Sequence, residues 1–180
     1  MECILNKGLT IVFTGDGKGK TCAAMGIALR ACGHKMSVSI IQFIKGTKPT
    51  GEAMASERLA PELEFISLGS GFVNCLGDVK PLTEHKRSAA EALAVAHQRI
   101  LSGSWDIIVL DEINTAVSLG LIDVKEVLDL LAKKPLMMHI ILTGRSACSE
   151  VVEAADLVTE MHSIKHPYDR GIPAQKGIDY

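Results

Sequence analysis

The sequence is poor in aromatic residues, 4% of its 180 positions. No stretch approaches the ~20 apolar residues that cross a bilayer, so no membrane span is expected. The core must then be aliphatic, which suits a sheet covered by helices on both faces. No CxxC pair occurs among the five cysteines, Cys3, Cys22, Cys32, Cys75 and Cys148. With an odd count and no paired spacing, neither a disulfide framework nor a zinc site is expected, and reduced thiols point to a cytoplasmic protein. An excess of basic residues is also missing: 19 Lys and Arg stand against 21 Asp and Glu, a formal net charge of −2. Nucleic-acid binders are usually basic, so that class loses weight. The opening MECILNKGLTIVFTGDGKGK has no small-residue cleavage site, and its apolar run leads straight into a glycine-rich turn. A secretory signal is therefore not expected. There is no internal repeat, low-complexity tract or linker, and the length suits one domain at about 150 residues per domain. What is present is 47% hydrophobic and 22% charged residues, enough for a real core and against a disordered chain.

Short β-branched runs alternate with longer stretches of helical periodicity. Strands are expected at Leu9–Thr14, Ser37–Ile44, Leu63–Leu68, Ile107–Leu110, His139–Thr143 and Leu157–Met161. Helices are expected at Lys20–Cys32, stopped by Gly33, at Glu84–Leu101, at Val124–Lys133 before Pro135, and at Cys148–Ala155, with a short one near Glu52–Leu59. Gly69–Pro81 reads as a long connection and His162–Tyr180 as an irregular tail. This rhythm predicts βαβ units with right-handed crossovers: an α/β fold, three-layered, with a mainly parallel sheet of about six strands. Ligands in such sheets collect beyond the carboxyl ends of the strands.

The sharpest motif is Gly15-Asp16-Gly17-Lys18-Gly19-Lys20-Thr21, between a predicted strand and a predicted helix. That context is what a phosphate-binding P-loop requires. Glycines let backbone N–H groups converge on phosphate oxygens, the helix start adds partial positive charge, Lys20 supplies a full charge, and the Thr21 hydroxyl can hold magnesium. The loop departs from the common pattern. Three residues, not four, separate Gly15 from Gly19, and Thr14 stands where the first glycine belongs. Such a cradle need not seat a triphosphate as a γ-phosphate-transferring NTPase does. The second half of a nucleotide site is the apolar strand Ile107–Leu110 ending in Asp111 and Glu112, a Walker B pattern whose carboxylates are expected near Thr21 and the metal. An Asp-Glu pair also occurs where the glutamate polarises water, so the pair alone does not choose the reaction. His162 and His166 are four apart, but a strand followed by a Pro turn would not put them on one face, and no metal pair is expected there.

Together, GDGKGKT, ALRACGH, IIQFIKG, LDEIN, LTGR and IKHPYDRGIPAQKGIDY form a specific combination running from about Leu9 to Tyr180. The chain resembles the ATP:corrinoid adenosyltransferases that act on cobyrinic acid derivatives and cobalamin. The resemblance implies a RecA-like P-loop fold and transfer of the 5′-deoxyadenosyl group of ATP to cobalt(I), with release of triphosphate. It implies ATP bound in reversed polarity, with C5′ facing the corrinoid. It implies magnesium (or manganese), a flavoprotein or other reductant, and a homodimer. Lys18, Lys20, Thr21 and the metal would stabilise the leaving triphosphate. Arg30 and Arg145 match positions expected near the nucleotide, and Lys165, His166 and Asp169 match the tail motif. Many members carry Gly-Phe-x-Trp after the third strand, where bulky side chains exclude an axial cobalt ligand. Here the run is Gly71-Phe72-Val73-Asn74, so Phe72 is kept and the Trp position holds Asn74. Some relatives also carry an N-terminal extension that covers the site; with about eight residues before the first strand, that cover is expected to be missing or supplied otherwise. Two rival readings stand beside this one: an ATPase or kinase acting at the γ-phosphate, and a non-catalytic corrinoid or nucleotide carrier.

Overall fold

In the computed structural model, which describes residues 7–44, 50–71, 73 and 80–180, strand and helix alternate along the chain. The strands are β1 (Thr10–Thr14), β2 (Val38–Gln42), β3 (Leu63–Ser67), β4 (Ile107–Asp111), β5 (His139–Thr143) and β6 (Leu157–Glu160). The helices are α1 (Lys20–Gly33), α2 (Gly51–Ser56), α3 (Leu82–Leu101), α4 (Ile113–Ser118), α5 (Val124–Ala132) and α6 (Ser149–Ala154). Short 3-10 turns follow at Glu57–Leu59 and Pro167–Arg170. The strands form one sheet in the order β3-β2-β4-β5-β1-β6. Every pairing is parallel, so the expected α/β architecture is the one adopted. β5 lies between β1, which feeds the phosphate loop, and β4, which carries the acidic pair.

Alternate residues along each strand face opposite layers, as the two-residue period requires. Val12, Ile41, Ile108, Leu110, Ile140 and Leu142 pack under α3, α4, α5 and α6. Ile11, Phe13, Ile40, Val109 and Ile141 pack under α1. α1 lies close on the sheet because Ala24, Ala28 and Ala31, spaced three and four apart, present only methyl groups to it. On α3 the buried face runs Ala89, Ala92, Leu93, Ala96, Ile100. Full burial of a side chain such as Ile100 contributes about 1.5–3 kcal/mol. α5 starts at a capping box in which Asp123 and Glu126 each take a backbone N–H of the other's end. α4 is the helix that the periodicity does not announce. It is separated from β4 by Glu112 alone, runs for six residues, and contains the β-branched Ile113, Thr115 and Val117, which read as strand formers. Its helical character shows only in tertiary context, where Ile113 and Ala116 turn inward together.

The carboxyl end of the sheet is polar although it is buried. Thr14, Gln42, Asp111 and Thr143 close β1, β2, β4 and β5, and all four are shielded from solvent. Gln42 is in register with Asp111 on one side and with Ser67 on the other. Polar groups taken out of water need partners, and these find them in one another.

Candidate active site

Asp111 is the centre of that network. It is fully buried. Its Oδ1 accepts hydrogen bonds from the Thr143 hydroxyl at 2.7 Å and from the Thr21 hydroxyl at 2.9 Å. Its Oδ2 accepts from Gln42 Nε2 at 2.8 Å, and Gln42 Oε1 in turn accepts from the Ser67 hydroxyl at 3.2 Å. A buried carboxylate is stable only when its lone pairs are taken up in this way. Thr21 therefore stands in the first turn of α1 with its hydroxyl proton committed to Asp111 and its oxygen lone pairs left to serve another ligand.

Glu112 follows with φ 67° and ψ 18°, a left-handed conformation that costs a non-glycine residue about 1–3 kcal/mol. Two bonds hold it: its N–H donates to Thr143 Oγ1 at 3.0 Å, and its Oε2 accepts from the Thr115 hydroxyl at 2.6 Å. Thr115 Oγ1 also accepts from the N–H of Arg145 at 2.9 Å, which ties the loop after β5 to the acidic strand. Backbone strain of this kind aims the Glu112 side chain into the cleft.

The phosphate loop is wound against the end of β6. Gly15 has φ 92°, and a Cβ there would lie 2.3 Å from the Met161 carbonyl oxygen. The Gly17 N–H donates to that same oxygen at 2.7 Å. Thr14, at the position where the common loop has its first glycine, uses its side chain elsewhere: Oγ1 accepts from the N–H of Ala147 at 3.1 Å. Lys20 is 8% exposed and folds back over the loop, donating to the carbonyls of Gly15 at 2.6 Å and Gly17 at 2.7 Å. Burial lowers its pKa from the ordinary lysine value, Glu112 and Asp16 pull it back up, and Arg145 adds to the lowering. Lys20 is thus a charge kept in a partly dry site beside acidic groups, ready to be compensated by an anion.

These elements enclose a cleft of about 450 Å³, lined by Asp16 to Cys22, Gly51, Glu52, Glu112, Arg145 and the C-terminal residues Gly177 to Tyr180. That volume suits a nucleotide-sized ligand. Of the residues expected from the sequence, the cleft gathers Asp16, Gly17, Lys18, Gly19, Lys20, Thr21, Glu112 and Arg145, with Gly15 and Asp111 directly beneath. Arg30 is not brought there. It sits in the last turn of α1, in a groove with Ile11, Ile27, His34, Met36 and His139, at the amino ends of the strands. Lys165, His166 and Asp169 do not line the cleft either. They lie in an exposed tail, where His166 Nδ1 accepts from the N–H of Tyr168 at 3.1 Å and so caps the short 3-10 turn. Phe72 and Asn74 fall outside the described residues.

Sequence reasoning missed Gln42, Thr143, Thr115, Glu52 and Asp179. The first two carried a readable signal, a lone polar residue ending an apolar strand, which is also the pattern of Asp111. Glu52 and Asp179 carried none, since only the folded chain brings them to the loop. Lys18 pairs with Asp179, whose Oδ2 also accepts from the N–H of Gln175 at 2.8 Å.

The family model described as ATP:corrinoid adenosyltransferase BtuR/CobO/CobP matches residues 6–180. The chain belongs to this family. Among curated relatives, the chain is 41% identical over 176 residues to a corrinoid adenosyltransferase of Sinorhizobium sp., covering 97% of this chain and 81% of that one. It is 37% identical over 174 residues to a corrinoid adenosyltransferase of Pseudomonas aeruginosa, covering 97% and 84%. Among solved structures, the flagellar accessory protein FlaH of Methanocaldococcus jannaschii is similar in fold, with a TM-score of 0.57, 15% identity, and coverage of 86% of this chain and 71% of that one. The enzyme is an ATP:corrinoid adenosyltransferase on a P-loop scaffold. Among its described residues no helix is long and apolar enough to cross a membrane.

Proposed function

We propose that the cleft at the carboxyl edge of β1 and β4 holds the triphosphate of ATP as a leaving group, within a single P-loop domain spanning residues 1–180. The observation that carries this reading is that Lys20 is folded onto the Gly15 and Gly17 carbonyls of the loop while the neighbouring Thr21 hydroxyl is held by buried Asp111. In the reaction the cobalt(I) electron pair forms a bond to C5′ of ATP, the C5′–O bond breaks, and its electron pair leaves on triphosphate. Cobalt(I) is a strong nucleophile, so no side chain has to act as a base. Positioning cobalt and C5′ in line supplies up to roughly 7–11 kcal/mol of barrier lowering. The chain's remaining task is to compensate charge on the leaving group. Lys20 exchanges the Gly15 and Gly17 carbonyls for phosphate oxygens, Lys18 and Arg145 stand at the cleft rim, and the loop N–H groups other than that of Gly17, which the Met161 carbonyl takes, complete the cradle.

The donor set suits magnesium. Thr21, Asp111 and Glu112 offer hard oxygen ligands only, and among the described residues no group of three or more His, Cys, Asp or Glu forms a protein cage. That is the pattern for magnesium, or manganese, held by one or two side chains with water and substrate phosphates. When bound, such a cation neutralises triphosphate charge. The lone pairs of Thr21 and the carboxylate of Glu112 would hold it, with Asp111 orienting Thr21.

A γ-phosphate NTPase would ask Glu112 to polarise water; its Oε2 is instead engaged by Thr115. Phe72 is assigned to the corrinoid side on resemblance to the family, as are homodimer formation, a flavoprotein or other reductant, and a cytoplasmic location. Arg30, Lys165, His166 and Asp169 retain only that resemblance as support. The test is ATP affinity titrated against magnesium in the wild type and in Thr21→Ala. The reading expects Thr21→Ala to need more magnesium for the same affinity. An unchanged magnesium dependence would remove the metal from this site.

A further inference from the structure

The cleft is rich in hydrogen-bond donors where phosphate oxygens would go, and among the described residues that line it one carboxylate oxygen is both buried and without a partner. Glu52 lies in the first turn of α2 and lines the cleft across from the phosphate loop. Its Oε2 is sealed from solvent and has no hydrogen-bond partner. The other acidic groups of the site differ from it. Asp111 is bound by Thr143, Thr21 and Gln42, Glu112 is bound by Thr115, Asp179 is bound by Lys18 and Gln175, and Asp16 is exposed. A buried acceptor without a donor is unfavourable unless a ligand brings one. Phosphate oxygens bring none, and a carboxylate beside a triphosphate would be repelled. The donors available on ATP are at its other end, the ribose hydroxyls and the adenine 6-amino group.

We propose that Glu52 is a positioning residue that accepts a hydrogen bond from the nucleoside part of ATP, and so fixes where C5′ stands relative to the triphosphate held by the loop. The inference rests on the reading of the cleft as the ATP site and deepens it. The chain then grips ATP at two points of opposite sign. Donors on the loop take the triphosphate, and an acceptor on α2 takes the nucleoside. A hydrogen bond to a charged group accounts for about tenfold or more in affinity.

The experiment measures dissociation constants by calorimetry for ATP, 2′-deoxyATP, 3′-deoxyATP, purine riboside triphosphate and inorganic triphosphate. The proteins are the wild type, Glu52→Ala, Glu52→Gln and Lys20→Ala, each checked for folding by circular dichroism. Glu52→Ala should weaken ATP about tenfold or more and leave inorganic triphosphate unchanged or tighter. The analogue lacking the matched donor should bind wild type and Glu52→Ala alike, and the identity of that analogue tells ribose from adenine. Glu52→Gln, which keeps an acceptor oxygen, should recover part of the loss. Equal weakening of ATP and inorganic triphosphate, no weakening of either, or an altered magnesium requirement in Glu52→Ala would each overturn the proposal. If Lys20→Ala binds ATP normally, the reading of the cleft fails instead, so the two failures are distinguishable.

Discussion

The two ends of α1 carry the same kind of residue and have different surroundings. At its start Lys20 is nearly buried, bound to two loop carbonyls and flanked by Glu112, Asp16 and Arg145. At its end Arg30 shares a largely apolar groove with Ile27, His34 and His139. Roughly ten residues at 1.5 Å each put about 15 Å between them. Both were expected near the nucleotide, yet only the first lies at the carboxyl edge of the sheet, where buried Thr14, Gln42, Asp111 and Thr143 meet. A motif residue thus reaches the site according to which end of its element it occupies. Parallel topology sends all six strands in one direction, and the site follows their carboxyl ends.

The sharpest way to break this comparison is Lys20→Ala. Transfer should fall by roughly 10²–10³-fold, the cost of removing one preorganised charge contact, with ATP affinity lost alongside. Calorimetry showing near-normal ATP binding would remove the phosphate-loop assignment. Next in size is Glu112→Gln, which should slow transfer about tenfold and raise the magnesium requirement, with the melting temperature little changed. A drop in stability without a change in metal dependence would make Glu112 a cap of α4 only.

Alkaline pH sharpens the contrast without mutation. Burial lowers the pKa of Lys20 from the ordinary value, so before nucleotide binds Lys20 gives up its proton at lower pH than an exposed lysine. Triphosphate binds the protonated form. ATP affinity should therefore decline as pH rises through the lowered Lys20 value, before the exposed-lysine range is reached, and the decline should vanish in Lys20→Ala. A smaller effect is expected at the tail. Asp179 pairs with Lys18 at the cleft, and an exposed ion pair contributes about 0–1 kcal/mol. Asp179→Asn should tighten inorganic triphosphate by no more than severalfold, measured as product inhibition. The smallest effect is predicted for Arg30→Ala, whose ATP affinity should stay within about twofold of wild type. A large loss there would mean that the amino-edge groove takes part in nucleotide binding.

Much of the fold is visible in the residues themselves. His139–Thr143 is a strand with the expected bounds, and the other strands agree within a few residues, because a buried parallel strand is a short β-branched run bracketed by breakers. α4 escaped because its β-branched Ile113, Thr115 and Val117 read as strand formers directly after a strand. Of the site, the residues close together in sequence were legible: Lys20 and Thr21 in the loop, Asp111 and Glu112 at one strand end. What was not legible depends on contacts between distant segments. Nothing local announces that Gln42 and Thr143 share Asp111, that Glu52 faces the loop, or that Asp179 returns to Lys18. His166 shows the converse. Its motif is clear in the sequence, and the structure gives it a local bond to Tyr168 N–H.

The most direct measurement is product analysis of a single anaerobic incubation with ATP, magnesium and chemically reduced corrinoid, run in parallel for wild type and Lys20→Ala. Phosphorus NMR would follow the phosphates and the corrinoid absorption spectrum would follow the cobalt–carbon bond. The account predicts intact inorganic triphosphate and adenosylcorrinoid in equal amounts from the wild type, and neither above background from Lys20→Ala. ADP and phosphate from the wild type, with no cobalt–carbon bond, would contradict it.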